Sequence, residues 1–348
     1  MAPCTGDAEN VRAGPPGTIL KSAEHLPDLK TVTAWNRLGL RAAYGQIMLR
    51  LAEENSDLIV LSADLGRSSG LDRFVSAFPD RYIGTGIAEQ NLVGTATGLA
   101  FAGMKVFASS FAPFLTMRAG DQVRMSLGYM QAPVVLVGLA SGLSLGFLGS
   151  SHYGLEDLAV MGAIPGLEIV SPSDAWELFL VLNDALLNPR PLYVRLTGST
   201  MLQSLGFDNC QKPLTKHPQL LVPPESRTVV VASGTMIQRC QAALDGLCDS
   251  SGKRVGLAVA NWLRPLGEEF FRSHSDRVDH WIVAEEHFER GGLGSELSRL
   301  FSGGTDVRPR VSVLGIGDAY PHGASYGAGL RMNQLDVEGI RNRVLALI

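Results

Sequence analysis

A two-domain α/β protein, with each domain built on a mostly parallel sheet flanked by helices, is predicted from three features of the sequence. Short apolar runs alternate with helical stretches through most of the chain, the pattern of strands buried on both faces. At 348 residues there is material for about two cores of ordinary domain size. Glycine is in excess, 39 residues or about 11% against a usual ~7%. Many of these glycines fall where apolar runs end, as loops that admit a ligand require.

The elements follow in order. Residues 1–28 read as a flexible leader. From Leu38 to Leu51 apolar residues recur at helical spacing, and Asn55-Ser56-Asp57 stops that helix. LIVLSADLG is then a buried strand running into a glycine turn, carrying Asp64 at its end. Arg81 to Gly84 closes a second strand, and Ala88 to Leu99 is a helix of small residues. Val106–Ser110, Val134–Leu139, Leu167–Val170 and Leu192–Leu196 are further strands. Ser171-Pro172-Ser173-Asp174 opens an amphipathic helix, with a cap, an early proline and an early acid. These elements place the first domain at 29–202. Residues 203–226, with mixed polarity and several prolines, read as a linker. The second domain, 227–348, has strands at Thr228–Ala232, Val255–Val259 and Trp281–Ala284 and a helix at Thr235–Leu247. Glu285-Glu286-His287 follows the last of these strands. It reads as a strand-end cap or subunit contact, with a metal cluster as the alternative.

Composition excludes several classes. Thirty Lys and Arg against 34 Asp and Glu leave a net charge of −4, so neither nucleic acid nor an anionic membrane is an expected partner. No apolar run approaches the ~20 residues of a membrane span. The first residues lack the apolar centre of a signal peptide. Cys4, Cys210, Cys240 and Cys248 show no zinc spacing and read as reduced thiols in the cytoplasm.

The densest chemical feature is Gly84-Thr85-Gly86-Ile87-Ala88-Glu89-Gln90-Asn91. It sets one carboxylate where a strand passes into a helix of small residues. By itself such an acid is a helix-start residue favoured by the macrodipole. In this sequence it is followed by SSFAPFLTMRAGDQVR, by SHYGLED and by IPGLEIVSPSD. With SADLG and GIAEQN, that order of motifs resembles the thiamine-diphosphate enzymes of the transketolase family over about residues 35–348. The resemblance is to the pyrimidine-binding and C-terminal domains, in the form encoded as a separate beta subunit.

What the resemblance implies can be set against chemistry. Thiamine diphosphate needs a carboxyl hydrogen-bonded to its aminopyrimidine, and Glu89 matches that position. A carboxyl set among small residues with little water around it is suited to holding or sharing the proton. Phe111 and Phe114 match the region that stacks on the pyrimidine, Phe114 being the first choice, and Asp64 is the further cofactor candidate. His152 matches the histidine that contacts the donor's oxygens and shuttles protons. Arg41, Ser68 and Arg195 match substrate-phosphate positions suited to an anion. The diphosphate site of the family needs a GDG motif, a downstream Asn and Mg2+ held by oxygen ligands. Here only Gly315-Ile316-Gly317-Asp318 approaches it, with no Asn downstream in a matching context. An N-terminal, diphosphate-binding partner subunit is therefore expected to supply the metal ligands, in an assembly of two copies of each chain.

Two departures bear on substrate. Ala140 stands where the family usually has a phosphate-contacting histidine. Phe147-Leu148 stands where Glu-Asp is usual, so Leu148 replaces the acceptor for a sugar hydroxyl, a loss of about 1–3 kcal/mol for a buried group. The expected activity is ketol transfer from a ketose or ketose phosphate to an acceptor other than a standard sugar phosphate. Two other readings stay open. One is a 2-oxo-acid dehydrogenase-like beta subunit loading a lipoyl or carrier-protein thiol; the other is a non-catalytic scaffold. The C-terminal domain is expected to be structural and dimer-forming.

Overall fold

Asp28 accepts a hydrogen bond from the Thr31 backbone N–H and so starts α1 (Leu29–Leu38). Gly39, at φ 83°, breaks the helix before α2 (Leu40–Glu54). The helix expected from Leu38 to Leu51 is α2, and α1 is an additional helix set off from it at Gly39, because glycine takes that backbone angle without strain. The computed structural model describes residues 26–198, 201–203, 213–303 and 309–348. Most of the expected leader, part of the linker, and Cys4 and Cys210 lie outside them.

From α2 the chain alternates through β1 (Leu58–Ser62), α3 (Asp72–Ala77), β2 (Tyr82–Gly84), α4 (Glu89–Phe101) and β3 (Lys105–Phe111). Next come π-helical turns at Phe114–Arg118 and Arg124–Tyr129, on either side of α5 (Gly120–Val123). β4 (Val134–Ser141), α6 (Asp157–Gly162), β5 (Glu168–Val170), α7 (Ala175–Leu187) and β6 (Leu192–Thr197) complete the first half. Asp174 caps α7 through Glu177 N–H, as its sequence predicts.

The second half contains β7 (Gln219–Val222), β8 (Thr228–Ala232), α8 (Met236–Leu244), β9 (Gly256–Val259), β10 (Trp262–Arg264), α9 (Glu268–Ser273), β11 (His280–Phe288), α10 (Leu293–Ser302), β12 (Arg310–Ile316), α11 (Tyr326–Met332) and α12 (Val337–Leu345).

Two sheets result. The first has the order β10-β5-β6-β4-β3-β1-β2 and the second β12-β11-β8-β9-β7. Pairing is parallel except for β10 on β5 and β7 on β9. β1 and β4 are buried at every position, which is why they read as unbroken apolar runs. One apolar core layer runs from the first sheet to the second, joining Leu61, Leu92 and Leu136 with Val231, Trp281 and Leu297. Separate layers cover the α2–α7 face and the α8–α12 face.

Three features depart from the sequence expectation. β7 lies inside the expected linker. β10, read from residues after β9, belongs to the first sheet rather than the second. β11 runs on to Phe288, so Glu285, Glu286 and His287 lie within the strand and are buried. Among the described residues no helix is long and apolar enough to cross a membrane.

Candidate functional site

The parallel strands β1, β3 and β4 bring their carboxyl ends to one edge, the place where open α/β sheets bind ligands. The loop after β2 continues the ladder through Thr85 N–H to Ser62 C=O, 3.0 Å. Gly86 then takes φ 71°, and the chain turns into α4 with Glu89 as its first helical residue.

Glu89 is 1% exposed. Ser110, at the end of β3, donates its hydroxyl to Glu89 Oε1 at 3.1 Å. Arg118 donates to Oε2 at 2.7 Å. The guanidinium also lies 4.3 Å from the Phe114 ring centroid, a cation–π arrangement. The expected surroundings of small residues alone are thus corrected: the carboxylate carries a charge-assisted partner. Sequence reasoning missed Ser110 and Arg118. Both stand within the SSFAPFLTMRAGDQVR motif, but the π-helical turn that swings Arg118 back over Phe114 leaves no mark on apolar periodicity.

Phe111, Phe114 and His152 form a second layer beside this pair. The phenyl centroids are 6.2 Å apart. The His152 ring stands edge-to-face to Phe111 at 6.1 Å and to Phe114 at 5.3 Å. Its Nδ1 is 3.1 Å from the Ser151 hydroxyl. The predicted residues Glu89, Phe111, Phe114 and His152 are therefore together in space.

The other predicted residues are placed as follows. Asp64, exposed, follows β1 at φ 58°, a left-handed angle rare for residues other than glycine and often found at functional sites. The adjacent Ala63 N–H donates to Ser109 C=O, 3.2 Å, which holds Asp64 next to the Ser110 end of β3. Arg41 lies in the first turn of α2 and Ser68 in the loop after β1. These two segments touch so closely that a Cβ on Gly45 would sit 1.9 Å from Gly70 O.

Arg195 is corrected. It is buried on β6, with Nε donating to Asp157 Oδ2 at 2.8 Å and Nη2 to Glu286 C=O at 2.8 Å. Its charge is committed inside the protein rather than offered to an anion. Leu148 is 47% exposed, in a 3-10 turn of the loop after β4, so the unpaired-hydroxyl argument does not apply within this chain alone. Ala140 is buried at φ 55° where β4 departs from regular pairing with β6.

Donor chemistry tests what this edge can hold. A buried carboxylate, a hydroxyl and aromatic faces suit a flat heterocycle with ring nitrogens. A diphosphate needs cationic or backbone N–H donors and a metal. Gly315 lies within β12, and Asp318 is exposed and paired with Arg290 at 3.3 Å. Among the described residues no three His, Cys, Asp or Glu side chains gather as a metal site.

Glu285, Glu286 and His287 have other duties. Glu285 caps α10 through Leu293 N–H, 2.7 Å, and Gly294 N–H, 3.2 Å. Burial pushes its carboxyl up to about 7, against those two backbone donors. Burial holds the His287 imidazole down at about 4.

Several large apolar side chains between residues 87 and 130 are exposed. Ile87 is 74% exposed, Met117 61% and Tyr129 80%, with Met125 and Met130 also exposed.

Comparison with known proteins agrees with the geometry. Residues 36–201 match the family model described as transketolase, pyrimidine binding domain, and residues 219–340 match transketolase, C-terminal domain. A putative transketolase C-terminal section from Methanocaldococcus jannaschii is 28% identical over 88% of this chain and 95% of its own length. One subunit of the apulose-4-phosphate transketolase of Phocaeicola vulgatus is 30% identical, over 90% of this chain and 98% of its own length. A solved structure described as a split gene transketolase, inactive beta4 tetramer, superposes with TM-score 0.76 at 29% identity, covering 87% of this chain and 96% of that one.

Proposed function

The chain belongs to the transketolase family, matching relatives that are C-terminal sections or separate subunits of transketolases, and on that premise we propose that it is the beta subunit of a two-component, thiamine diphosphate-dependent transferase. It moves a two-carbon ketol unit from a ketose, phosphorylated at its far end, to an aldehyde acceptor. The observation that carries this reading is buried Glu89, held by Ser110 and by an Arg118 that lies over Phe114, with Phe111 and His152 against the same ring.

The donor set fits the aminopyrimidine end of the cofactor. The diphosphate and Mg2+ are assigned to an N-terminal partner subunit that covers the exposed apolar side chains between residues 87 and 130, in an assembly of two copies of each chain. When bound, the cofactor supplies the electron sink for cleaving and forming the carbon–carbon bond. Glu89 holds a hydrogen bond at the pyrimidine ring nitrogen. The ring nitrogen is an acceptor, so this bond needs a proton that the carboxyl donates or shares, while the oxygens keep the bonds they accept from Ser110 and Arg118. Phe111 and Phe114 wall the ring. Asp64 lies at the same edge as a further cofactor contact. His152 presents its imidazole toward the donor's oxygens and moves a proton there. Arg41 and Ser68, on two segments that pack together at Gly45 and Gly70, are assigned to the substrate anion. Leu148 presents an apolar group where a sugar hydroxyl would want an acceptor.

The test is a thiamine diphosphate–Mg2+ titration by calorimetry, with the chain alone and with a diphosphate-binding transketolase subunit. A ketol-transfer assay follows on the complex. Tight binding and transfer only in the complex support the proposal. Tight binding by the chain alone overturns the shared site. Carbon dioxide release from pyruvate with acyl loading of a carrier thiol supports a dehydrogenase-like subunit instead.

A further inference from the structure

The loop Leu143–Tyr153 carries both Leu148 and His152. Its base is closed by paired backbone hydrogen bonds between Gly142 and Gly154, at 2.8 and 3.0 Å. Beyond that closure, the hydrogen bonds that set where it lies reach across to the C-terminal domain. Glu286 Oε1, buried within β11, accepts from Leu143 N–H at 2.7 Å. Glu286 Oε2 accepts from the Tyr326 hydroxyl of α11 at 2.7 Å. Arg239 of α8 stands 3.9 Å from the same carboxylate and donates to the Tyr326 hydroxyl at 3.0 Å. The approach is tight: a Cβ on Gly142, which has φ 71°, would lie 2.2 Å from Glu286 Oε1.

The far side of the loop meets the segment before α11. Ala324 N–H donates to Gly146 C=O at 3.0 Å. The Ser150 and Tyr153 hydroxyls donate to the carbonyls of Pro321, 3.3 Å, and His322, 2.9 Å. The wall that bears His152 is therefore hung from the second domain as much as from β4.

We infer that Glu286 and Tyr326 are positioning residues: from the C-terminal domain they fix the register of the loop Leu143–Tyr153 and hence where His152 and Leu148 stand. This adds a positioning role to a C-terminal domain expected to be structural and dimer-forming rather than catalytic. The kinetic side of this inference rests on the reading of that loop as the substrate wall; the clamp itself does not. Glu286 touches no reacting atom. Its effect passes through the Leu143 amide and the strand-like start of the loop, so a change in clamp strength is felt at the substrate without being felt at Glu89.

The experiment uses Tyr326→Phe, a substitution that removes one hydroxyl and keeps the ring, with Glu286→Gln as the conservative companion. Hydrogen–deuterium exchange is measured on the full chain, and donor KM, kcat and cofactor affinity on the complex with its diphosphate-binding partner. Tyr326→Phe removes the bond to Glu286 Oε2 and the one accepted from Arg239, and is expected to raise exchange of the 143–153 amides about 3- to 10-fold. Exchange at residues 105–118 and in α12 should stay as in the parent. Donor KM is expected to rise in similar proportion, with cofactor affinity unchanged. Glu286→Gln keeps an acceptor for the Leu143 amide and should lie between the parent and Glu286→Ala. Unchanged exchange at 143–153, or a rise spread evenly over the whole second domain, overturns the inference. If the parent complex transfers no ketol unit, the proposed function fails while the exchange measurement still decides the clamp.

Discussion

Arg195 and Asp157 form a buried ion pair, Nε to Oδ2 at 2.8 Å, where the two sheets meet. The Tyr193 hydroxyl donates to the same oxygen at 3.0 Å, and Oδ1 has no partner among the described residues. Arg195 also reaches the Glu286 carbonyl of β11, so this pair ties α6 and β6 to the second sheet. Removing the guanidinium leaves a carboxylate in the interior with nothing to balance it.

Arg195→Met should therefore cost about 3–5 kcal/mol of stability, as breaking one side of a buried pair does. Urea unfolding followed by circular dichroism reads this directly. The double substitution Arg195→Met with Asp157→Leu should recover most of the loss. A single variant with parental stability and a raised KM for phosphorylated substrates would restore Arg195 to the substrate-contact role.

Glu89→Gln keeps the shape of the side chain and removes its charge. In the reconstituted complex, kcat should fall about 10²- to 10⁴-fold, the range for losing an acid–base group. Arg118→Met should lower cofactor affinity as well, since it strips the partner that fixes the Glu89 carboxylate. Steady-state kinetics and calorimetry separate the two effects. Full activity of Glu89→Gln would end the catalytic reading.

Glu285 and His287 make opposite demands on pH. The Glu285 carboxyl is raised by burial from its ordinary 4.5 to about 7, so its contribution to stability is full below 4.5 and is lost as pH rises to 7. The His287 imidazole is lowered by burial from 6.5 to about 4, so its contribution is full above 6.5 and is lost as pH falls to 4. The two slopes oppose each other between pH 4.5 and 6.5. Relative to the parent, Glu285→Gln should gain stability with rising pH up to 7, and His287→Asn should lose it from 4 to 6.5. Urea midpoints across pH 4 to 8 check both signs.

Leu148→Asp introduces an acceptor on the exposed turn of the loop after β4. For ketoses with a free hydroxyl next to the transferred unit, kcat/KM should rise about 10- to 100-fold, the equivalent of one recovered polar partner. Competition between two donors in the same assay measures it. No change in preference would show that Leu148 does not face the substrate.

Met117→Glu and Tyr129→Asp place charge at two exposed apolar positions, one beside Arg118 and one at the end of the second π-helical turn. Neither should alter the fold of the chain alone, because both side chains are exposed. Association with the diphosphate-binding partner should weaken about 10-fold or more in each case, as charge in an apolar interface does. Sedimentation velocity of mixtures gives the answer.

The architecture was legible because β1, β4, β6 and β8 are apolar at nearly every position and their helices carry explicit signals, such as Asp174 at the start of α7. The gathering of Glu89, Phe111, Phe114 and His152 was legible from motif order. What sequence could not convey arises from distant juxtaposition. Arg195 matches a substrate-phosphate position of the family until Asp157 is found beside it, 38 residues apart in sequence. Glu286 looks like a strand-end acid until the amide of Leu143, 143 residues away, is found against it. β10 is only three residues long, too short for an apolar pattern to say which sheet it joins. Arg118 was hidden because π-helical turns break the 3.6-residue period on which helical faces are read.

That short strand has a consequence for how the polypeptide can be built and cut. Trp262 and Arg264 pair with Val170 and Ile169, so the outermost strand of the first sheet is encoded about 60 residues beyond its last parallel member, β6. During synthesis the first sheet stays incomplete until the chain has been made past Arg264, well into the second domain, and meanwhile β5 offers a bare edge to any neighbouring chain. A fragment ending within 203–226 would keep Glu89, both phenylalanines and His152 and still lack this closing strand. Such a fragment should pair edge to edge and precipitate where the whole chain stays dispersed, and adding residues up to Arg264 should relieve much of that tendency.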